Sequence, residues 1–210
     1  NYQIPEVQEV ADFIGDSLEL SIKARDTEAE LIVFCGVRFM AETAKILSPE
    51  KTVLLPVKDA LCPMAGMVNA EDVKKLREKY PDAKVVCYVN TTAETKAMAD
   101  VCCTSANAAK VVENIDAENI IFIPDRNLAN YVQRMSSKNI IAWHGYCYVH
   151  DEISQEEVKR AMSAHPDAVL MVHPECRPEV TSLADYVKGT GGMIKLVKEG
   201  EKSVYLIGTE

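Results

Sequence analysis

A chain of 210 residues, 48% hydrophobic and 26% charged, carries enough apolar material for a sizeable core, as one large domain or two to three small ones. Its net charge of −9, with no clustered Lys and Arg, argues against a nucleic-acid partner, so an anionic ligand must be held by local hydroxyls and helix N-termini. No run approaches the roughly 18 apolar residues of a membrane span and no charged-then-apolar leader is visible, so no membrane partner is expected.

Val7, Val10, Ala11 and Ile14 recur at helical spacing, which predicts helices over 4–14 and 17–25 separated by Gly15-Asp16-Ser17. The apolar run 31–34 predicts a buried strand, 38–47 a helix and 52–55 a strand, followed by a loop with Cys62-Pro63-Met64-Ala65. Asn69 and Asp72 form a capping-box pattern for a helix reaching about Lys79. Then come a strand at 84–89, helices at 92–99 and 106–114, a strand at 120–123, a helix at 127–135 and a strand at 139–142, ahead of Gly145-Tyr146-Cys147. Helix 154–164, strand 168–172, helix 178–184, a short helix after Gly192 and strand 204–207 complete the chain. The first residue is Asn1 and both ends fall inside patterned sequence, so both are expected to be cut. Alternation of strands with helices predicts α/β architecture, with parallel sheets covered on both faces and ligands outside the carboxyl ends of the strands.

One stretch organises this pattern. Ala99-Asp100-Val101-Cys102-Cys103-Thr104-Ser105 has the same form as residues 11–17 and 184–190, at steps of 88 and 85 residues. The same offsets place Phe34–Ala41 on Phe122–Ala129, and Val85–Asn90 on Leu170–Glu175. We therefore expect three pseudo-equivalent α/β units about a pseudo-threefold axis, at 1–66, 67–149 and 150–210, the third incomplete.

The repeat selects the candidate residues. Cys62 and Cys147 each follow the last strand of a unit, 85 residues apart, so a third such cysteine is projected past the end of the chain. Three converging thiolates can hold a metal or an iron–sulfur cluster, although two ordinary loop cysteines fit the spacing about as well. Tyr88 and Asn90 point to one side of a strand end, and His173 and Glu175 take the equivalent places, with Tyr2 in the first unit. His173 alone would be a turn histidine before Pro174; the repeat moves it toward function. Ser17, Ser105 and Thr190 each open a helix, as simple N-caps or as a multi-anion site. Cys102 and Cys103 read as core, Cys176 as a conceivable zinc ligand beside His173, His150 as a residue behind Cys147, and His144 and His165 as surface turns. Seven cysteines, an odd number in a chain without a secretion signal, fit a reducing cytoplasm better than a disulfide framework.

The residues that carry these features, together with Asn1–Glu6, Gly15–Leu18, Phe39–Glu42, Cys62–Ala65, Tyr88–Asn90, Cys103–Asn107, Pro124–Leu128, Gly145–Cys147, Val172–Cys176 and Ile207–Glu210, resemble the quinolinate synthase family, iron–sulfur enzymes of NAD biosynthesis. The resemblance implies condensation of iminoaspartate with dihydroxyacetone phosphate to quinolinate, with release of phosphate and water. It also implies a [4Fe–4S] cluster with Cys62 and Cys147 as two of three ligands, its open iron acting as a Lewis acid. Carried over by position, Tyr2 and Glu175 transfer protons. Ser17, Tyr88, Asn90, Ser105, His173 and Thr190 hold the substrate. An aspartate-oxidising enzyme upstream is the implied partner. The chain departs from the family pattern at Tyr148, where the family has proline, and at Gly189, where it has serine. The family's histidine before Asn1 and its third cysteine fall outside the window. The rivals to this reading are a zinc- or iron-dependent lyase using Cys176 and His173, and a non-enzymatic carboxylate-binding or redox-sensing module.

Overall fold

A computed structural model of the chain describes residues 3–209; Tyr2 lies outside the described residues. The elements in order are α1 (Pro5–Glu9), α2 (Ser17–Asp26), β1 (Leu31–Val33), α3 (Arg38–Leu47), β2 (Thr52–Leu54), α4 (Ala70–Lys79), β3 (Lys84–Tyr88), α5 (Ala93–Lys96), β4 (Val101–Cys103), α6 (Ala108–Glu113) and β5 (Asn119–Ile123). They continue with α7 (Arg126–Gln133), β6 (Asn139–Ala142), α8 (Tyr148–Glu152), α9 (Gln155–Ala164), β7 (Val169–Val172), α10 (Pro178–Thr181), β8 (Tyr186–Val187), α11 (Thr190–Glu199) and β9 (Tyr205–Gly208). The strands form three sheets ordered β1-β2, β4-β3-β5-β6 and β8-β7-β9, in which every pairing is parallel. No helix among the described residues is long and apolar enough to cross a membrane.

The second and third sheets share one plan. Val86 pairs with Val101 in one and Met171 with Tyr186 in the other, the same register displaced by 85 residues. The Ala-Asp step has a structural task in both. The Asp100 carboxylate accepts from Val85 N–H at 2.7 Å while Asp100 N–H donates to Val85 O at 3.0 Å. Asp185 makes the same reciprocal pair with Leu170, at 2.9 and 3.0 Å. The motif thus ties the entry of an edge strand to the start of the central one. That role needs a side chain of this length at this point in both sheets.

After a polar first residue, the central strands β3 and β5 are apolar because both faces are covered. Val86, Ile120 and Phe122 enter one buried cluster with Leu128 and Val132, whereas Val85, Cys87, Ile121 and Ile123 enter a second with Val73. The first sheet is different. Ile32 and Val53 pack on Ala24, Phe34 and Ala44, but Leu31 and Val33 are 55% and 56% exposed, so the strand expected to be buried is covered on one face only. A predicted helix over 4–14 ends at Glu9, and Val10, Phe13 and Ile14 are exposed. Cys102 and Cys103, both expected in the core, lie on the edge strand β4, where Cys103 is buried and Cys102 exposed.

The Asp100 carboxyl is held below its ordinary value. Burial works to raise it, and the Val85 N–H and Arg77, 2.8 Å away, outweigh burial. Its contribution is therefore present above the unfolded carboxyl value of about 4 and is lost as pH falls through the lower folded value. Asp100→Ala should cost about 2 kcal/mol near neutral pH and distinctly less in acid, and urea unfolding of variant and parent at both pH values measures the difference.

Candidate functional site

The carboxyl ends of the strands and the loops that follow them enclose a cavity of about 610 Å³. Its walls include Ser17, Cys62, Tyr88, Asn90, Ser105, Cys147, His173, Glu175 and Thr190, so of the described candidates from the sequence all but Cys176 meet there. Parallel sheets impose this, since all strands of a sheet deliver their following loops to the same end.

The two cysteine loops are anchored to the core of the second sheet. Cys62 precedes a tight turn at Met64–Gly66, and Met64, 1% exposed, packs in the cluster that Cys62 and Cys147 also touch. Cys147 N–H donates to Asp125 Oδ2 at 3.0 Å, and the other Asp125 oxygen caps α7 by accepting from Leu128 N–H at 2.7 Å. Gly145 is required in this loop, because a Cβ there would stand 2.6 Å from Pro124 O. Burial, with the charge of Glu175 behind it, pushes the Asp125 carboxyl up to about 8.

Beyond Cys147, α8 carries His150, which is 1% exposed and joins three parts of the chain. Its Nδ1 lies 2.8 Å from Glu175 Oε2 and 3.2 Å from Cys147 Sγ, and its Nε2 lies 2.9 Å from Thr209 Oγ1. The His150 and His173 rings stack at 4.4 Å. His173 Nδ1 accepts from Glu175 N–H at 3.3 Å, so the neutral ring carries its hydrogen on Nε2. Burial lowers His173 to about 4 and keeps it neutral. Burial alone would raise the Glu175 carboxyl; the hydrogen bond from His150 and the neighbouring imidazoles outweigh it and hold it at about 2. Burial and the Glu175 charge raise Tyr88, which stays a phenol. Asn127 Nδ2 donates to Asp151 Oδ1 at 2.8 Å and to Glu175 O at 3.0 Å, fixing the backbone behind the carboxylate.

Two of the three buried side-chain atoms without a hydrogen-bond partner among the described residues, Asn90 Oδ1 and Glu175 Oε1, belong to this cavity wall. Buried acceptors are normally satisfied, so such atoms mark where a ligand group belongs. The hydroxyl residues are not the helix caps that the sequence suggested. Asp16, Asn107 and Gly189 take the N-cap positions, and Ser105 precedes its helix altogether. Gly189 also makes room. A Cβ on it would meet Ser105 Oγ at 2.9 Å and His173 Nε2 at 3.7 Å.

The donor set suits a metal centre. Cys147, His150 and Glu175 place one ligand atom each within 4.8 Å of one another, and the Cys62 thiol borders the same space. Soft thiolates favour iron–sulfur clusters or zinc over hard cations. Cys176 does not join them. It is 1% exposed, donates to Gly208 O at 3.5 Å, and burial pushes its thiol up to about 12. Sequence reasoning gave His150 only a place behind Cys147 and no role to Asp125. Its spacing of three from Cys147, one turn of helix, was the available signal for His150.

A family model described as "NadA: Quinolinate synthetase A protein" matches residues 1–210. A protein named quinolinate synthase from Methanoregula boonei is 55% identical over 210 residues, which is 100% of this chain and 70% of that protein. The protein of that name from Thermococcus onnurineus is 57% identical over 206 residues, 97% of this chain and 68% of its own length. One from Methanocaldococcus jannaschii is 53% identical over 213 residues, 100% of this chain and 69% of its own length.

His150→Ala should leave a carboxylate buried without its donor and cost about 3 kcal/mol of stability. Adding Glu175→Gln should recover part of that loss, and urea titration of the two single variants and the double variant measures the coupling.

Proposed function

The chain belongs to the NadA family of quinolinate synthetase A proteins, a family of enzymes, and on that premise we propose that its cavity condenses iminoaspartate with dihydroxyacetone phosphate to quinolinate, releasing phosphate and water. The observation that carries the proposal is the meeting, in one space of about 610 Å³, of two loop cysteines, several hydroxyls and two buried oxygens without a hydrogen-bond partner among the described residues. That volume lies within the roughly 300–1,000 Å³ of small-ligand sites.

Cys62 and Cys147 are proposed as two ligands of a [4Fe–4S] cluster whose third ligand lies outside these 210 residues. When bound, such a cluster supplies an open iron that acts as a Lewis acid. The chain's own groups bind and move protons. Ser17, Ser105 and Thr190, with Tyr88 and Asn90, are proposed to hold the carboxylates and phosphate of the substrates through uncharged donors, which matches a protein of net charge −9. The Nε2 hydrogen of His173 faces the space beside Gly189 and Ser105, where it can donate to a carbonyl or carboxylate oxygen. Glu175 receives a proton at Oε1 while His150 keeps Oε2 occupied. Tyr2 is proposed as the second proton-transfer group. Three units at 1–66, 67–149 and 150–210 about a pseudo-threefold axis, a cytoplasmic setting and an aspartate-oxidising partner complete the proposal.

A second reading has its own observation. Cys147, His150 and Glu175 form a mixed sulfur, nitrogen and oxygen set that suits a single zinc ion. Reconstitution under anaerobic conditions separates the two. The cluster reading expects iron with equivalent sulfide, and quinolinate from the two substrates, in the protein carrying its third cysteine. Cys62→Ser and Cys147→Ser should each abolish the visible cluster absorption and the product together. Full activity in either variant, or zinc alone supporting turnover, would sink it.

A further inference from the structure

The face of the second sheet opposite Tyr88 holds a thiol pair that the cavity does not use. Cys87 on β3 and Cys102 on β4 are direct register partners. Neighbouring strands lie about 4.8 Å apart, inside the roughly 4.4–6.8 Å between Cα atoms that a disulfide spans. Register partners in a parallel pair project to the same face. Cys87 is 0% exposed and its sulfur lies 2.9 Å from Thr91 Oγ1, whereas Cys102 is exposed.

Next to the pair stands Lys96, a buried ammonium at 9% exposure. It donates to Thr91 O and lies 5.5 Å over the Phe39 ring, and no salt bridge among the described residues includes it. Burial lowers Lys96, and the charges of Cys87, Cys102 and Glu42 work to raise it, so an anion beside it is favoured. The hydrogen bond from Cys87 holds the Cys102 thiol down to about 7 against partial burial, with Lys96 adding to the effect. The same bond, and burial, push Cys87 up.

The fold does not demand thiols here. In the third sheet the equivalent register partners are Val172 and Val187, and the position equivalent to Lys96 is Thr181. Two valines fill that place as well as two cysteines would, so the thiols and the ammonium are an addition to the shared plan.

We infer that Cys87 and Cys102 form a reversible dithiol–disulfide couple, with Cys102 the outward thiol that reacts with a hydroperoxide and Cys87 the buried thiol that resolves it. In the first step the Cys102 thiolate attacks one peroxide oxygen. The O–O bond breaks, hydroxide leaves to become water, and Cys102 becomes a sulfenic acid. In the second, the Cys87 sulfur attacks the Cys102 sulfur as it gives up its proton. The S–O bond breaks and the hydroxide leaves with that proton as a second water. The two sulfurs together lose two electrons and the peroxide gains them; an external dithiol reverses the change. The bond would join β3 to β4 one residue before Tyr88 and three before Ser105, both on the cavity wall.

Equimolar hydrogen peroxide on the folded full chain, followed by alkylation and peptide mass spectrometry, should find the peptides containing Cys87 and Cys102 joined, with loss of two hydrogens. Dithiothreitol should restore both thiols. Cys87→Ala should leave a Cys102 sulfenic acid that dimedone traps, and Cys102→Ser, at the exposed position, should protect Cys87 from oxidation. Overoxidised Cys102 beside an intact Cys87 thiol in the parent chain, a bridge to Cys103 instead, or no reaction at either sulfur would overturn the inference.

Discussion

The 2.8 Å contact between His150 and Glu175 is the constraint on which the cavity depends. His150 belongs to the helix after the cysteine loop of the second sheet, and Glu175 to the strand end of the third. Both are buried, so neither can turn to water if the other moves. Removing one partner of such a pair exposes the full cost of desolvating the other. The contact therefore locks the loop bearing Cys147 against the strand end bearing His173, and Thr209, Asn127 and Asp151 hold it from behind.

Around that lock, hydroxyl, amide and imidazole groups line the cavity together with Lys188, and the acidic groups are kept few and particular. Asp125 and Glu175 share one buried region, and their charges oppose each other. Burial and that repulsion drive Asp125 toward its neutral form, while His150 keeps Glu175 ionised. Two carboxyls of the same chemistry thus take different states because His150 and the neighbouring imidazole outweigh burial at Glu175, whereas the backbone N–H groups at Asp125 do not outweigh burial and the Glu175 charge.

The cysteines divide by environment rather than by number. Cys62 and Cys147 border the cavity, Cys103 and Cys176 fill core, and Cys87 pairs in register with Cys102 at the sheet edge. Spacing alone separates the first pair from the rest. The register that brings Cys87 beside Cys102 is a property of strand pairing across fifteen residues of chain, and Lys96 reaches them only because α5 folds back between those strands.

The sequence by itself determined the α/β class, most helices and strands, and the recurrence of Ala-Asp, because apolar periodicity and repeated residues are local or evenly spaced. It also picked out Cys62, Cys147, Tyr88, Asn90, Ser105, His173, Glu175 and Thr190, since the repeat placed each at a strand end or loop. Tertiary structure decided the rest. That Leu31 and Val33 face outward depends on what covers the first sheet, and β4 and β8 are too short to carry a period of their own. That Ser17, Ser105 and Thr190 are not caps follows from neighbours, Asp16, Asn107 and Gly189, taking those positions. The roles of His150 and Asp125 rest on partners 25 and 22 residues away, contacts that arise only when the sheets and their loops come together.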